Sequence, residues 1–133
     1  MSQENVELAR QFARSWNDGI DAFLEYLDPD VEWRPTPEGP LAGVYRGHDG
    51  VRDYVGRLRE VFDEMRIEPL EVIDIDDNHV IVVNRIIARS ESSGMEIDAK
   101  WASLITLGPN KKAVRFETFT DKAQALEAIG LRE

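Results

Sequence analysis

The sequence predicts an α+β fold in which helices pack over one face of a curved, antiparallel or mixed sheet and enclose a cavity. Two observations predict it. Apolar residues recur at three- and four-residue steps in the first half of the chain, and from Arg66 onward the period falls to two. Turn-forming clusters then divide the second half into long runs, so the order reads helix, helix, short strand, helix, four long strands. At 133 residues the chain has the length of one domain, 1–133, and buries a continuous core without cross-links.

Val6, Ala9, Phe12, Ala13 and Trp16 share one face of a first helix, which Asn17-Asp18-Gly19 ends. A second short helix starts at Asp21 as its cap, buries Phe23, Leu24 and Leu27, and stops at Asp28-Pro29, because proline disfavours helical geometry in the residue before it. Val31 to Arg34 is a short strand. Pro35 to Pro40, with three prolines and a glycine, is a loop beside the pocket mouth. The third helix runs from about Asp49 to Glu64 with Val51, Tyr54, Val55, Leu58, Val61 and Phe62 as its apolar stripe. Four strands follow: Ile67 to Asp74, His79 to Arg89, Met95 to Leu107 and Lys112 to Thr120. Asp76-Asp77-Asn78, Ser92-Ser93-Gly94 and Gly108-Pro109-Asn110 are the turns between them. Asp121, with Gln124 three residues on, caps a last short helix that ends at Gly130.

Composition excludes several function classes. A formal net charge of -10 opposes a phosphate backbone or an anionic membrane surface, so neither nucleic acid nor membrane is an expected partner. There is no cysteine, hence no disulfide, thiolate metal site or thiol nucleophile, which is compatible with a reducing cytoplasm. The start, Met1 to Asn5, lacks a basic region before an apolar run, and no stretch approaches the ~18 apolar residues of a membrane helix. The expectation is a soluble, cytoplasmic protein. Neither of the two histidines nor any carboxylate cluster has metal-ligand spacing, so no metal and no cofactor is expected.

Three segments carry a family resemblance: Phe12 to Gly19, Leu27-Asp28-Pro29-Asp30-Val31-Glu32-Trp33, and Tyr45-Arg46-Gly47-His48-Asp49-Gly50-Val51. With the closing strand, they resemble the SnoaL-like branch of the nuclear transport factor 2-like superfamily over nearly the whole chain. The resemblance implies a cone-shaped fold with three N-terminal helices over a cavity and a short C-terminal helix. It also implies a homodimer through the outer sheet face. The superfamily holds ketosteroid isomerases, polyketide cyclases, epoxide hydrolases and non-enzymatic binding modules, so function has to come from the site.

Where ketosteroid isomerases carry a tyrosine and two acids, this chain has Phe12, Trp33 and Ser103. Rings cannot take a carbon-bound proton. Where epoxide hydrolases carry an arginine between two acids, Arg85 falls on the arginine, with Ile87 and Thr118 on the acids. Catalytic residues therefore stay unassigned. The expected cavity set is Phe12, Trp16, Trp33, Arg85, Trp101, Ser103 and Thr118, binding an apolar, cyclic small molecule.

Arg85 lies in a strand of valines and isoleucines and is the candidate polar anchor for a ligand carbonyl, carboxylate or enolate. The alternative is an ion pair with Glu32, Glu117 or Asp98, or exposure to solvent. Trp16, Trp33 and Trp101 are flat walls for a ring or ordinary core. Ser103, between Trp101 and Ile105 on one strand face, is a polar point on an apolar wall. His48 sits at a helix entry and His79 in a turn. Simple alternation puts Phe116, Thr118 and Thr120 inside and Glu117 outside; an inward Glu117 or Asp98 would restore acid/base catalysis. Two further readings stay open: an isomerase, cyclase or hydrolase using an unidentified cavity acid, and a dimeric interaction module.

Overall fold

The computed structural model describes residues 2–36 and 41–132. Helix α1 (Ser2–Ser15) passes through a 3-10 turn at Trp16–Asp18 into α2 (Ile20–Leu24), then β1 (Leu27–Arg34), β2 (Tyr45–Arg46) and α3 (Gly47–Val61). Four long strands follow, β3 (Glu64–Asp76), β4 (His79–Arg89), β5 (Glu96–Leu107) and β6 (Ala113–Phe119), and α4 (Lys122–Arg132) closes the chain. One six-stranded sheet has the order β2-β1-β6-β5-β4-β3. Only the β1–β6 pair is parallel, so the sheet is mixed.

Side-chain amides fasten α1 to the sheet at both ends. Near its start the buried Asn5 donates from Nδ2 to the Asp77 carbonyl in the β3–β4 turn (3.0 Å) and accepts from Lys111 Nζ (3.1 Å). Past its end, Asn17 donates to the Ile67 carbonyl (2.9 Å) and accepts from the Ile67 N–H (3.1 Å), so one side chain stands in for a strand partner of β3. Trp16 adds an indole N–H bond to the Met65 carbonyl (3.1 Å). At the entry to α3, Gly47 has φ +71° and a Cβ there would lie 3.0 Å from the Pro29 carbonyl oxygen, so a side chain at this position meets both strain and a backbone atom.

The expected elements form, with shifts at their ends. Leu27 opens β1 instead of closing the second helix, pairing with Ala113 across the parallel ladder. The register shifts before Glu32, and that irregularity accommodates Pro29, which cannot donate to a ladder. Tyr45 and Arg46, expected as a lead into the third helix, pair with Trp33 and Glu32 as β2, and α3 starts at Gly47. Strand β4 has the expected bounds, β3 is longer at both ends, and α4 continues past Gly130. The Asp121 carboxylate caps α4 by accepting the Gln124 N–H (2.8 Å). Of the expected loop Pro35 to Pro40, residues 37–40 lie outside the described residues.

The two faces of the sheet bury different things. The inner face packs under α1, α2 and α3 with Val80, Val82, Ile105 and Phe116 in the main core. The outer face carries a smaller cluster of Ile81, Ala102 and Leu104 under Ala125 and Ile129 of α4. Beside it, Glu32 collects Arg34 (2.6 Å), Arg115 (3.3 Å) and Arg46 (3.4 Å). The Arg34 hydrogen bond, with the charges of Arg34, Arg115 and Arg46, holds the Glu32 carboxyl below its ordinary 4.5 against the opposing effect of burial.

A depressed folded-state pKa contributes stability above the unfolded value and loses it as pH falls. Glu32→Gln is therefore expected to lower the midpoint of thermal unfolding at pH 7 by roughly 1–3 °C. The difference from wild type should shrink below pH 4.5. Scanning calorimetry from pH 3 to 7 checks this, and a gap that stays constant across the range would refute it.

Candidate functional site

Helices and inner face enclose an aromatic chamber of about 60 Å³, lined by Phe12, Trp16, Phe23, Trp33, Phe116 and Trp101 among others. Its walls are held ring against ring. Trp33 lies flat on Phe116 at 4.0 Å and 4°, Phe12 stacks on Phe23 at 4.8 Å, and Phe23 meets Trp33 edge-on at 5.5 Å. Leu58, Met65, Ile86 and Trp101 also line a second, wider space of about 370 Å³, bounded by Leu41, Val61, Met95 and Ile97. The chamber thus adjoins a wider apolar vestibule.

The lining contains no Asp, Glu, His, Lys or Arg among the described residues. Its polar groups are neutral: the Asn84 amide, the Ser103, Thr118 and Thr36 hydroxyls, the Trp33 indole and the Tyr54 phenol. Asn84 is 6 % exposed, and its Oδ1 has no hydrogen-bond partner among the described residues. Trp33 Nε1 is likewise buried; it faces the Tyr54 hydroxyl without completing a hydrogen bond. Burial pushes the Tyr54 phenol up to about 12, and Tyr45 beside it acts in the same direction, so the group stays protonated at neutral pH. Unpartnered buried polar atoms are uncommon in folded proteins, and each has a destabilising effect that a fitting ligand can relieve.

Phe12, Trp16, Trp33, Trp101, Ser103 and Thr118 meet at the chamber. Arg85 does not, and the expectation that it anchors a ligand there is corrected. Its guanidinium points from the opposite face and grips Asp98 with two bonds, Nε to Oδ1 at 2.9 Å and Nη2 to Oδ2 at 2.7 Å. Its side chain is 42 % exposed. The cause is strand parity: Asn84 pairs with the inward Trp101 and Ile86 with Ala99, whereas Arg85 pairs with Lys100 and Ile87 with Asp98. Ile87, aligned with an epoxide hydrolase acid, is exposed on that outer face.

Glu117 also lies outward, opposite Leu104, with Arg115 at 3.3 Å. Thr120 lies past the end of β6, where its hydroxyl donates to Gln124 Oε1 (2.9 Å). His48 contacts the Leu27 carbonyl at 2.9 Å, and His79 contacts Asp76 at 2.9 Å. No group of three or more potential metal ligands occurs among the described residues. None of their helices is long and apolar enough to cross a membrane. Phe23, Thr36, Tyr54 and Asn84 line the chamber without having been among the expected cavity residues, and Asn84 is the one of these on the sheet. Pairing β4 with β5 about the Ser92-Ser93-Gly94 turn would have found it, because an inward Ser103 brings Val82 and then Asn84 to the same face.

With this geometry in place, the sequence matches the SnoaL-like domain family over residues 9–116. The chain belongs to that family. The SnoaL-like domain is 30 % identical over 115 residues to an uncharacterised protein of Mycobacterium tuberculosis, covering 86 % of each chain. It superposes on TerC, co-crystallised with polyporic acid, with a TM-score of 0.75 at 27 % identity, covering 95 % of this chain and 98 % of TerC. A nuclear transport factor 2-like protein of Burkholderia thailandensis gives a TM-score of 0.75 at 28 % identity, covering 92 % and 96 % of the two chains.

Two substitutions separate the faces of β4 in this SnoaL-like domain. Arg85→Ala removes a solvent-exposed pair and is expected to move the unfolding midpoint by no more than about 2 °C. Asn84→Leu replaces an unpartnered buried amide and should raise the midpoint, by about 1 kcal/mol of stability. Denaturant titration of both variants decides the matter; a destabilised Asn84→Leu would mean that the amide is satisfied in solution.

Proposed function

We propose that this SnoaL-like domain is a small-molecule pocket protein that takes up an uncharged, apolar ring compound between its aromatic walls. The observation that carries the reading is the lining itself: stacked and edge-on rings around neutral hydrogen-bonding groups, with no ionisable acid or base among the described residues other than a phenol held protonated. Such a lining favours a flat apolar molecule and disfavours a charged one, whose burial without a counter-ion is costly. The co-crystallisation of TerC with polyporic acid supports a small-molecule role for this domain. The polar anchor in this reading moves from Arg85 to Asn84, Ser103 and Thr118.

Size orders the arrangement. A chamber of about 60 Å³ is smaller than the ~150 Å³ cavity that accommodates benzene, so a ring enters only by sharing the vestibule. The ligand therefore lies across the boundary, with its polar edge inward and its bulk among Leu58, Met65, Ile86 and Trp101.

Trp16, Trp33 and Trp101 all line the chamber, so intrinsic fluorescence reports its occupancy. Titration with steroids, terpenoid epoxides, polyketide aromatics, polyporic acid and fatty acids is expected to perturb emission with the uncharged ring compounds among them. Ala13→Val, which adds two methyl groups at the chamber wall, should weaken that response at least tenfold while leaving the fold intact. Equal responses from wild type and variant would place the binding elsewhere.

A further inference from the structure

Three polar side chains of the chamber form a line. Asn84 on β4, Ser103 on β5 and Thr118 on β6 occupy three consecutive strands on the cavity side of the sheet. Ser103 stands directly opposite Thr118 in one ladder and opposite Val82 in the other, two residues along from Asn84. Asn84 and Ser103 are diagonal neighbours, and Ser103 and Thr118 are a direct cross-strand pair. The Asn84 Oδ1 is buried without a partner among the described residues, and the Ser103 and Thr118 hydroxyls line the same wall. Around them the wall is apolar: Val82, Ile86, Ile105, Phe116 and Trp101.

Resting on the pocket reading above, we infer that this stripe recognises an uncharged aromatic ring bearing two hydroxyl oxygens in a 1,3 relationship. Adjacent strands are ~4.8 Å apart, and two oxygens placed meta on a benzene ring stand about as far apart. Ser103 and Thr118, the direct cross-strand pair, are one such step apart, so each meets one oxygen, and Asn84 borders the Ser103 position on the diagonal. Ortho oxygens are closer together than one strand step. Para oxygens point away from each other and cannot both face one wall. Hydroxyls suit the stripe better than ether or ketone oxygens because Asn84 Oδ1 accepts and needs a donor, while Ser103 and Thr118 both donate and accept. A carboxylate in the same place would find no cation among the described residues of the lining.

The remainder of the ligand is apolar and leaves through the vestibule. The edge of the ring reaches the stripe, its face lies along the Trp33–Phe116 wall, and a substituent opposite the oxygens extends toward Val61, Met95 and Ile97. An alkyl group at ring position 5, flanked by neither oxygen, has that direction.

Isothermal titration calorimetry of the full chain with 5-pentylresorcinol, 4-pentylcatechol and pentylbenzene tests the inference. 5-Pentylresorcinol is expected to bind at least tenfold more tightly than either of the others. Ser103→Ala and Asn84→Leu should each bring it down toward pentylbenzene, while pentylbenzene itself binds these variants as well as wild type. That unchanged affinity separates loss of recognition from loss of fold. Equal binding of pentylbenzene and 5-pentylresorcinol to wild type overturns the stripe and leaves the pocket standing. Equal binding of the catechol overturns the 1,3 spacing. Failure of all three, pentylbenzene included, overturns the pocket reading and this inference with it.

Discussion

The fold of this domain turns on the contact between Trp33 and Phe116. These residues face each other in the parallel β1–β6 ladder of the sheet, and their rings are stacked nearly parallel, 4.0 Å apart. From there Trp33 reaches Phe23 of α2 at 5.5 Å and Tyr54 of α3 at 5.7 Å, while Phe116 reaches Phe12 of α1 at 5.8 Å. One stack therefore joins a parallel strand pair to all three helices over the cavity. Each aromatic pair contributes ~0.5–1.5 kcal/mol beyond simple burial, and the rings keep the helices at a fixed height above the sheet. The chamber is the space such large, rigid side chains leave between them.

That arrangement divides the chemistry of the chain by strand parity. Charge lies away from the cavity, where Arg85 meets Asp98, Arg89 meets Glu64, and Arg115 meets Glu32 and Glu117. Neutral polar groups lie within. Arg85–Asp98 and Arg89–Glu64 are the diagonal and direct neighbours that an antiparallel ladder provides and tie β3, β4 and β5 together, whereas Arg115 meets Glu32 across the parallel β1–β6 ladder and Glu117 along its own strand, all without entering the cavity. A register slip of one residue on β4 would bring Arg85 inward and turn Asn84 out, exchanging a neutral pocket for a cationic one.

Much of this was legible in the residues. The period-two runs placed β4 at its actual bounds, the asparagine and glycine turns separated the long strands, and the Asp121 cap marked α4. Alternation on β6 correctly set Phe116 and Thr118 against Glu117. Strand β4 resisted the same argument. Val80 to Val83 is apolar at every position because both sheet faces are covered there, by the helices on one side and α4 on the other, so no polar residue marks the parity. Arg85 looked like the costly buried charge, although its partner Asp98 was available on the neighbouring strand. Strand β2 was unreadable for another reason: two residues carry no period, and their pairing with Trp33 and Glu32 is purely tertiary.

Placing Asn84 inside has a consequence for stability that bears on why the residue is there. A leucine or valine at that position would continue the apolar wall formed by Val82 and Ile86 and would leave no unpaired oxygen. A domain selected for packing alone has no use for an amide at the centre of an aromatic chamber. The same holds for Ser103, which stands among Leu104, Ile105 and Trp101 where an apolar side chain would fill space. Local rules broken without compensation inside a fold are a mark of function. Here the two breaks are neighbours on one face, and both open onto the chamber. The instability they introduce is of the kind that binding removes, so the empty cavity should be the less stable state of the domain.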